Sequence, residues 1–169
     1  MRKLTSDERK KIAMYIKNKI DISELIKNVD ISNENFSNAV IKDLSIVNQV
    51  LKNVNFSNAF IGNDKKVTLI SGNTLINCNF KGTVFLYAIH FRRNKCKNCS
   101  FDNAFMPYMS YQKTEFDSAC TFCSTVFRLG SREGLGAKFS NNFFRELTKY
   151  WNVVIVDKKE YEKLLGKKK

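Results

Sequence analysis

The sequence predicts an all-β solenoid, a chain wound into square coils of short strands, and three observations predict it. One phrase recurs, as NENFSNAV at 33–40, NVNFSNAF at 53–60, NCNFKGTV at 77–84, NCSFDNAF at 98–105 and ACTFCSTV at 119–126. Its central phenylalanines, Phe36, Phe56, Phe80, Phe101 and Phe122, stand 20, 24, 21 and 21 residues apart, too far for one helix or hairpin. Between them an apolar residue returns at every fifth position, with a second, smaller one two places before it.

The beat runs through Ile26, Ile31, Phe36 and Ile41, then Ile46, Leu51, Phe56 and Ile61. After an insertion around GNDKK (62–66) it resumes at Ile70, Leu75, Phe80 and Phe85. Phe91, Cys96, Phe101 and Met106 follow, then Tyr111, Phe116, Phe122 and Phe127, with one extra residue before Phe91 and another before Phe122. Twenty centres in groups of four make five coils. The smaller set, which includes Val29, Ala39, Val54, Ala59, Cys78, Thr83, Cys99, Ala104, Cys120 and Thr125, adds a period of two, the signature of a strand. A period of five laid over it ends each strand in a corner, and four corners close a square. Coils stacked at the strand spacing would form a rod about 24 Å long. Each face is then a ladder of like residues, all Phe on the third and Ile, Ile, Phe, Met, Phe on the fourth, and the small partners leave room for stacked rings.

Val54-Asn55-Phe56, Cys78-Asn79-Phe80, Cys99-Ser100-Phe101, Val29-Asp30-Ile31 and Thr114-Glu115-Phe116 carry the consensus Ala-Asp/Asn-Leu/Phe-x-x, and in this the chain resembles the pentapeptide-repeat family. The resemblance covers about 24–128 and implies a right-handed quadrilateral β-helix. Glu24, Glu34, Gln49, Asn73 and Asn94 depart from the small-residue position, which predicts imperfect coils, mainly on the second face. One functional subset of that family binds DNA gyrase by imitating DNA in shape and negative charge. The +13 net charge of this chain argues against an acidic stripe and leaves that role as the alternative.

Repeat units need covered ends, so the chain divides into a capping helix (1–22), the β-helix (23–128) and a carboxy-terminal segment (129–169). Thr5-Ser6-Asp7-Glu8 fits a capping box, and Ile12, Tyr15, Ile16, Lys19 and Ile20 continue at helical spacing, predicting a helix over 6–20. Beyond Phe127 the sequence reads as a glycine loop, a helix around 140–150, a strand-like VVIV at 153–156 and a last helix from Asp157 to Leu165. Such elements either cap the rod or, as in relatives of this type, pair two subunits; both arrangements are open.

Composition bounds the setting. The chain has 169 residues, 43% of them hydrophobic, and no 18-residue apolar run; its start, MRKLTSDERKK, lacks a secretory stretch. Five cysteines do not make a disulfide framework. The expectation is a cytoplasmic protein with no membrane association.

Catalytic machinery is not expected, nor any cofactor or metal. Cys96-x-x-Cys99 and Cys120-x-x-Cys123 have zinc-knuckle spacing, but the register sends Cys78, Cys99 and Cys120 inward on one face, Cys96 onto another and Cys123 outward. Three of them read as buried thiols acting as small hydrophobes. His90, the single histidine, falls at the extra residue before Phe91 and reads as a corner bulge; no nucleophilic triad surrounds it. Gly130, Gly134, Gly136 and Lys138 fail the phosphate-loop pattern. Basic residues cluster better. Arg92, Arg93, Lys95 and Lys97, with Lys113 one coil on, place charges around one exposed corner, as simple surface charge or as a site for a sugar-phosphate or acidic partner. The functional expectation is a non-enzymatic binding or scaffold protein whose partner is an unidentified protein or anion.

Overall fold

The computed structural model describes residues 1–86, 88–106 and 109–127, with strand backbone also at 138–139 and 154–155. Within them the five-residue beat becomes a parallel β-solenoid of about four turns, bounded by five rungs. Leu51 pairs in register with Leu75, Leu75 with Cys96 and Cys96 with Phe116. Ile41 pairs with Ile61 and Ile61 with Phe85. On the phenylalanine face the residues preceding the rings bridge in succession, Asn35 to Asn55, Asn79, Ser100 and Thr121.

The strands fall into four parallel sheets. One pairs β1 (Arg2–Lys3) with β2 (Val29–Asp30). The second stacks β4 (Ser45–Val47), β7 (Thr68–Ser71), β10 (Ile89–His90) and β13 (Met109–Ser110). The third stacks β5 (Val50–Lys52), β8 (Thr74–Ile76), β11 (Lys95–Lys97), β14 (Glu115–Phe116) and β16 (Lys138–Phe139). The fourth stacks β3 (Val40–Ile41), β6 (Phe60–Ile61), β9 (Val84–Phe85), β12 (Phe105–Met106), β15 (Val126–Phe127) and β17 (Val154–Ile155). The strand read at 153–156 is therefore a further rung of this sheet, and β16 adds one to the third. The glycine loop and the helices expected over 140–150 and 157–165 lie outside the described residues.

Stacked rings fill the axis. Successive pairs from Phe36 to Phe122 have centroids 5.6, 5.3, 5.0 and 4.9 Å apart, and from Phe56 onward their planes lie within 12° of parallel. Phe91 and Phe116 meet Phe101 edge-on at 5.9 and 5.8 Å, the arrangement that the ring quadrupole favours. All five ladder phenylalanines are buried, as are the small partners from Val29 to Thr125.

Two features of the coil come from polar residues. On three of the four corners the residue two after each centre adopts the left-handed conformation; of fourteen such positions nine are asparagine and two glycine, the residues that tolerate positive φ. Exposed asparagines also bond along the rod: Asn53 donates to Asn33 at 2.8 Å, Asn77 to Asn53 at 3.2 Å and Asn98 to Asn77 at 2.9 Å. The second feature corrects an expectation. Asn73 and Asn94 do not mark faulty coils, because β5, β8, β11 and β14 run in register through them. Both amides are buried. Asn73 donates to the Ile46 carbonyl at 2.9 Å and Asn94 to the Ile70 carbonyl at 2.8 Å; their Oδ1 atoms accept from the Gln49 and Asn73 backbone N–H groups. Thr83, Thr114 and Thr125 place hydroxyls on the carbonyls of Phe56, Phe91 and Phe101 one turn below. A polar side chain at the small position thus satisfies a backbone carbonyl that the core would otherwise strand.

The cap is α1 (Ser6–Lys17), closed by the predicted capping box: Glu8 N–H donates to Thr5 Oγ1 at 3.2 Å and Thr5 N–H to the Glu8 carboxylate at 2.8 Å. It ends three residues before Ile20, with Lys19 at φ 57°, and Ile20 is 44% exposed. Ile12 is buried, and Tyr15 and Ile16 pack on the core. Arg9 forks onto Glu34 at 2.6 and 3.1 Å, which accounts for the carboxylate at a small position of the first rung: it meets the cap rather than a preceding coil. Among the described residues no helix is long and apolar enough to cross a membrane.

Candidate anion-binding corner

The five basic residues singled out in the sequence occupy two adjoining surfaces. Lys95 and Lys97 alternate outward around buried Cys96 on β11, as a strand's period of two requires. Arg92 and Arg93 follow Phe91 at the corner between the second and third sheets, and Lys113 takes the equivalent corner position one rung on. The Arg93 N–H bonds to the Gln112 carbonyl at 2.9 Å, and the Gly72 N–H to the Arg92 carbonyl at 2.9 Å, so backbone bonds lock the corner rungs together.

One expectation changes. Arg92 is half-buried rather than fully exposed, because its Nε donates to Ser110 Oγ at 2.8 Å and lays the guanidinium along the next rung. The other four are exposed. None of the five forms an ion pair among the described residues, although Glu115 stands in register beside Lys95.

The backbone beneath them is the feature that sequence reading missed. At this corner successive rungs carry Asn28, Asn48, Gly72, Arg93 and Lys113, all with positive φ; Arg93 stands at 55° and Lys113 at 54°. Elsewhere such corners are given to asparagine or glycine, Ser124 excepted. Two long cationic side chains are thus held where L-residues pay about 1–2 kcal/mol in local sterics. The signal was legible, since asparagine recurs two places after the centres and these two positions break the pattern.

The remaining candidates for chemistry are one histidine and five cysteines. His90 lies within β10, in register with Leu69 and Ser110; the extra residue is taken up between Phe85 and Ile89, not at His90. Burial, and then the charge of Arg92, hold its pKa below the ordinary range, so it is neutral near pH 7. Cys78, Cys96, Cys99 and Cys120 are buried and Cys123 is exposed, as the register required. The Cys99 thiol lies against those of Cys120, Cys78 and Cys96, and these contacts, with burial, push its pKa up. Burial first of all raises that of Cys96. These two thiols stay protonated, and a thiol is neither the nucleophile nor the metal ligand that a thiolate is. Several carboxylates are turned onto backbone: Asp117 accepts from the Asn98 and Ala119 N–H groups at 3.0 and 3.1 Å, Asp102 from Cys123 N–H at 2.7 Å, Asp30 from Ser32 N–H at 3.0 Å. Gly130, Gly134 and Gly136 lie outside the described residues.

No protein-family model matches this chain, and no curated protein matches it significantly. The corner is therefore read on its own chemistry: cations carried at corner positions of adjoining rungs whose backbones are hydrogen-bonded to one another.

Proposed function

We propose that the chain is a non-catalytic binding protein of the pentapeptide-repeat type, resident in the cytoplasm, that engages an anionic polymer through the Arg93–Lys113 corner. The observation that carries the reading is the pair of cations seated in left-handed corners, with no ion-pair partner among the described residues. Backbone strain kept at a surface where asparagine would relieve it is better accounted for by a ligand than by packing. Family membership rests on the register of centres and small partners. Mimicry of DNA needs contiguous outward carboxylates, and a net charge of +13 with Asp30, Asp102 and Asp117 committed to backbone N–H groups argues against it.

The test is fluorescence anisotropy with duplex DNA, single-stranded RNA and an acidic peptide at matched ionic strength. Each phosphate contact contributes about 0.9 to the slope of log affinity against log salt for duplex DNA. R92E/R93E is expected to weaken binding and flatten the slope, whereas deletion of Lys167–Lys169 leaves most of the affinity. If that deletion abolishes binding and R92E/R93E changes nothing, the corner is ordinary surface charge and the reading fails.

A further inference from the structure

The five-residue beat is broken by more than a single residue at one place, the loop 62–66, where the chain passes from β6 on the fourth sheet to β7 on the second. Asn63 builds this loop: its Nδ2 donates to the Lys42 carbonyl, and its Oδ1 accepts the Lys65 and Lys66 N–H groups at 2.8 Å each. The loop walls a cavity of about 710 Å³, a size that falls among small-molecule sites of roughly 300–1,000 Å³. Val40 and Phe60, in register on adjacent rungs, floor it together with Leu86 from the next. Phe60 is 43% exposed, the one exposed phenylalanine among the described residues.

The charges around this floor balance, and most are already matched. Asp21 accepts the Ser23 hydroxyl at 2.5 Å and the Ser23 and Lys42 N–H groups at 3.0 Å each, beside the charge of Lys42, and Ser23 Oγ accepts the Asp43 N–H at 2.8 Å. Asp43 pairs with Lys66 at 2.7 Å, and Glu24 pairs with Lys27 at 3.6 Å. Two neighbours on the loop remain. Asp64 and Lys65 are both exposed, and neither has an ion-pair partner among the described residues. The cavity therefore presents one anion and one cation beside an apolar floor. A ligand bearing a single charge would answer one of the two and repel the other, whereas a zwitterion with an apolar body answers both.

We infer that this cavity is a binding site for a free α-amino acid with a large apolar side chain. The ammonium group meets the Asp64 carboxylate, the carboxylate meets the Lys65 ammonium, and the side chain lies on Val40, Phe60 and Leu86. An aromatic side chain suits this floor, because an offset or edge-on contact with the Phe60 ring adds to the area it buries. The two charge contacts stand at an exposed rim, where each contributes modestly and is screened by salt; the apolar contact supplies most of the affinity. The Arg93–Lys113 corner lends no residue to this cavity, so the inference holds whether or not that corner receives an anion.

Calorimetric titration of the full-length chain with L-phenylalanine tests the inference, alongside three analogues that each lack one feature. Phenethylamine lacks the carboxylate, 3-phenylpropionate lacks the ammonium, and L-alanine lacks the apolar side chain. L-Phenylalanine is expected to bind saturably, the first two analogues severalfold more weakly, and L-alanine at least tenfold more weakly, since it leaves the floor bare. The variants then assign the contacts. Asp64→Asn should weaken L-phenylalanine severalfold and bring it level with 3-phenylpropionate, whereas Lys65→Gln should bring it level with phenethylamine. Both positions are exposed on a loop, and circular dichroism of each variant checks that the solenoid is intact. No saturable binding at millimolar L-phenylalanine overturns the inference, as do analogues that bind equally well or variants that leave the affinity and the ranking unchanged.

Discussion

Replacing both cations of the corner by asparagine, R93N/K113N, is expected to stabilise the fold while weakening anion binding. The left-handed backbone at φ 55° and 54° costs an ordinary L-residue about 1–2 kcal/mol, most of which asparagine recovers. Relief of like charge between neighbouring rungs has the same sign. Together these give about 1–3 kcal/mol, read as a higher urea midpoint at unchanged m-value, and a melting temperature raised by about 2–4 °C per kcal/mol for a chain of this size. Gly72→Ala is the control at the same corner: φ is +71° and the new Cβ would collide with Asn48 Oδ1, so that variant loses stability. A loss or no change in R93N/K113N would refute the claim that these cations are held at a conformational cost, and with it the main support for a binding role.

Phe101→Ala removes a ring stacked at 5.0 and 4.9 Å on its neighbours and is expected to cost about 3–5 kcal/mol by chemical denaturation, whereas Phe60→Ala, on the outside, costs under about 1 kcal/mol. Asn94→Leu strands the Ile70 carbonyl and the Asn73 N–H, each worth about 1–3 kcal/mol when buried and unpaired; a neutral result would mean that the amide staple is dispensable. Arg2 and the Thr5 N–H hold the Glu8 carboxyl at a pKa of about 2. Because that folded value is depressed, its contribution is present above the unfolded pKa near 4.3 and is lost as pH falls toward 2. Over that window thermal melts of the protein should fall more steeply than those of Glu8→Gln.

How much could be read without coordinates varies by element. The phenylalanine ladder, the inward small residues and the capping box were legible because each rests on spacing or on a contact within three residues. Period five on period two admits few folded solutions once twenty apolar centres must be buried together. The role of Asn73 and Asn94 was not legible: as isolated residues they break a pattern, and only the carbonyls of the rung below, 24 and 27 residues away, make them bonds. Arg92 is similar, since its partner Ser110 lies 18 residues on and is brought near by the turn of the coil.

The basic cluster shows the same division. That Arg92, Arg93, Lys95, Lys97 and Lys113 fall near one edge followed from counting residues per turn. That two of them sit in left-handed corners was signalled in the sequence by the asparagines that recur at the equivalent positions, and the stacked backbone fixes it through the bonds each rung makes to the rungs on either side. The sequence by itself determined the repeat, the side each residue faces and the order of the rungs, all of which follow from local period and hydrophobic burial. The tertiary structure alone decided which polar groups meet across rungs and which cations have no ion-pair partner among the described residues, because those outcomes depend on distances between residues about twenty positions apart.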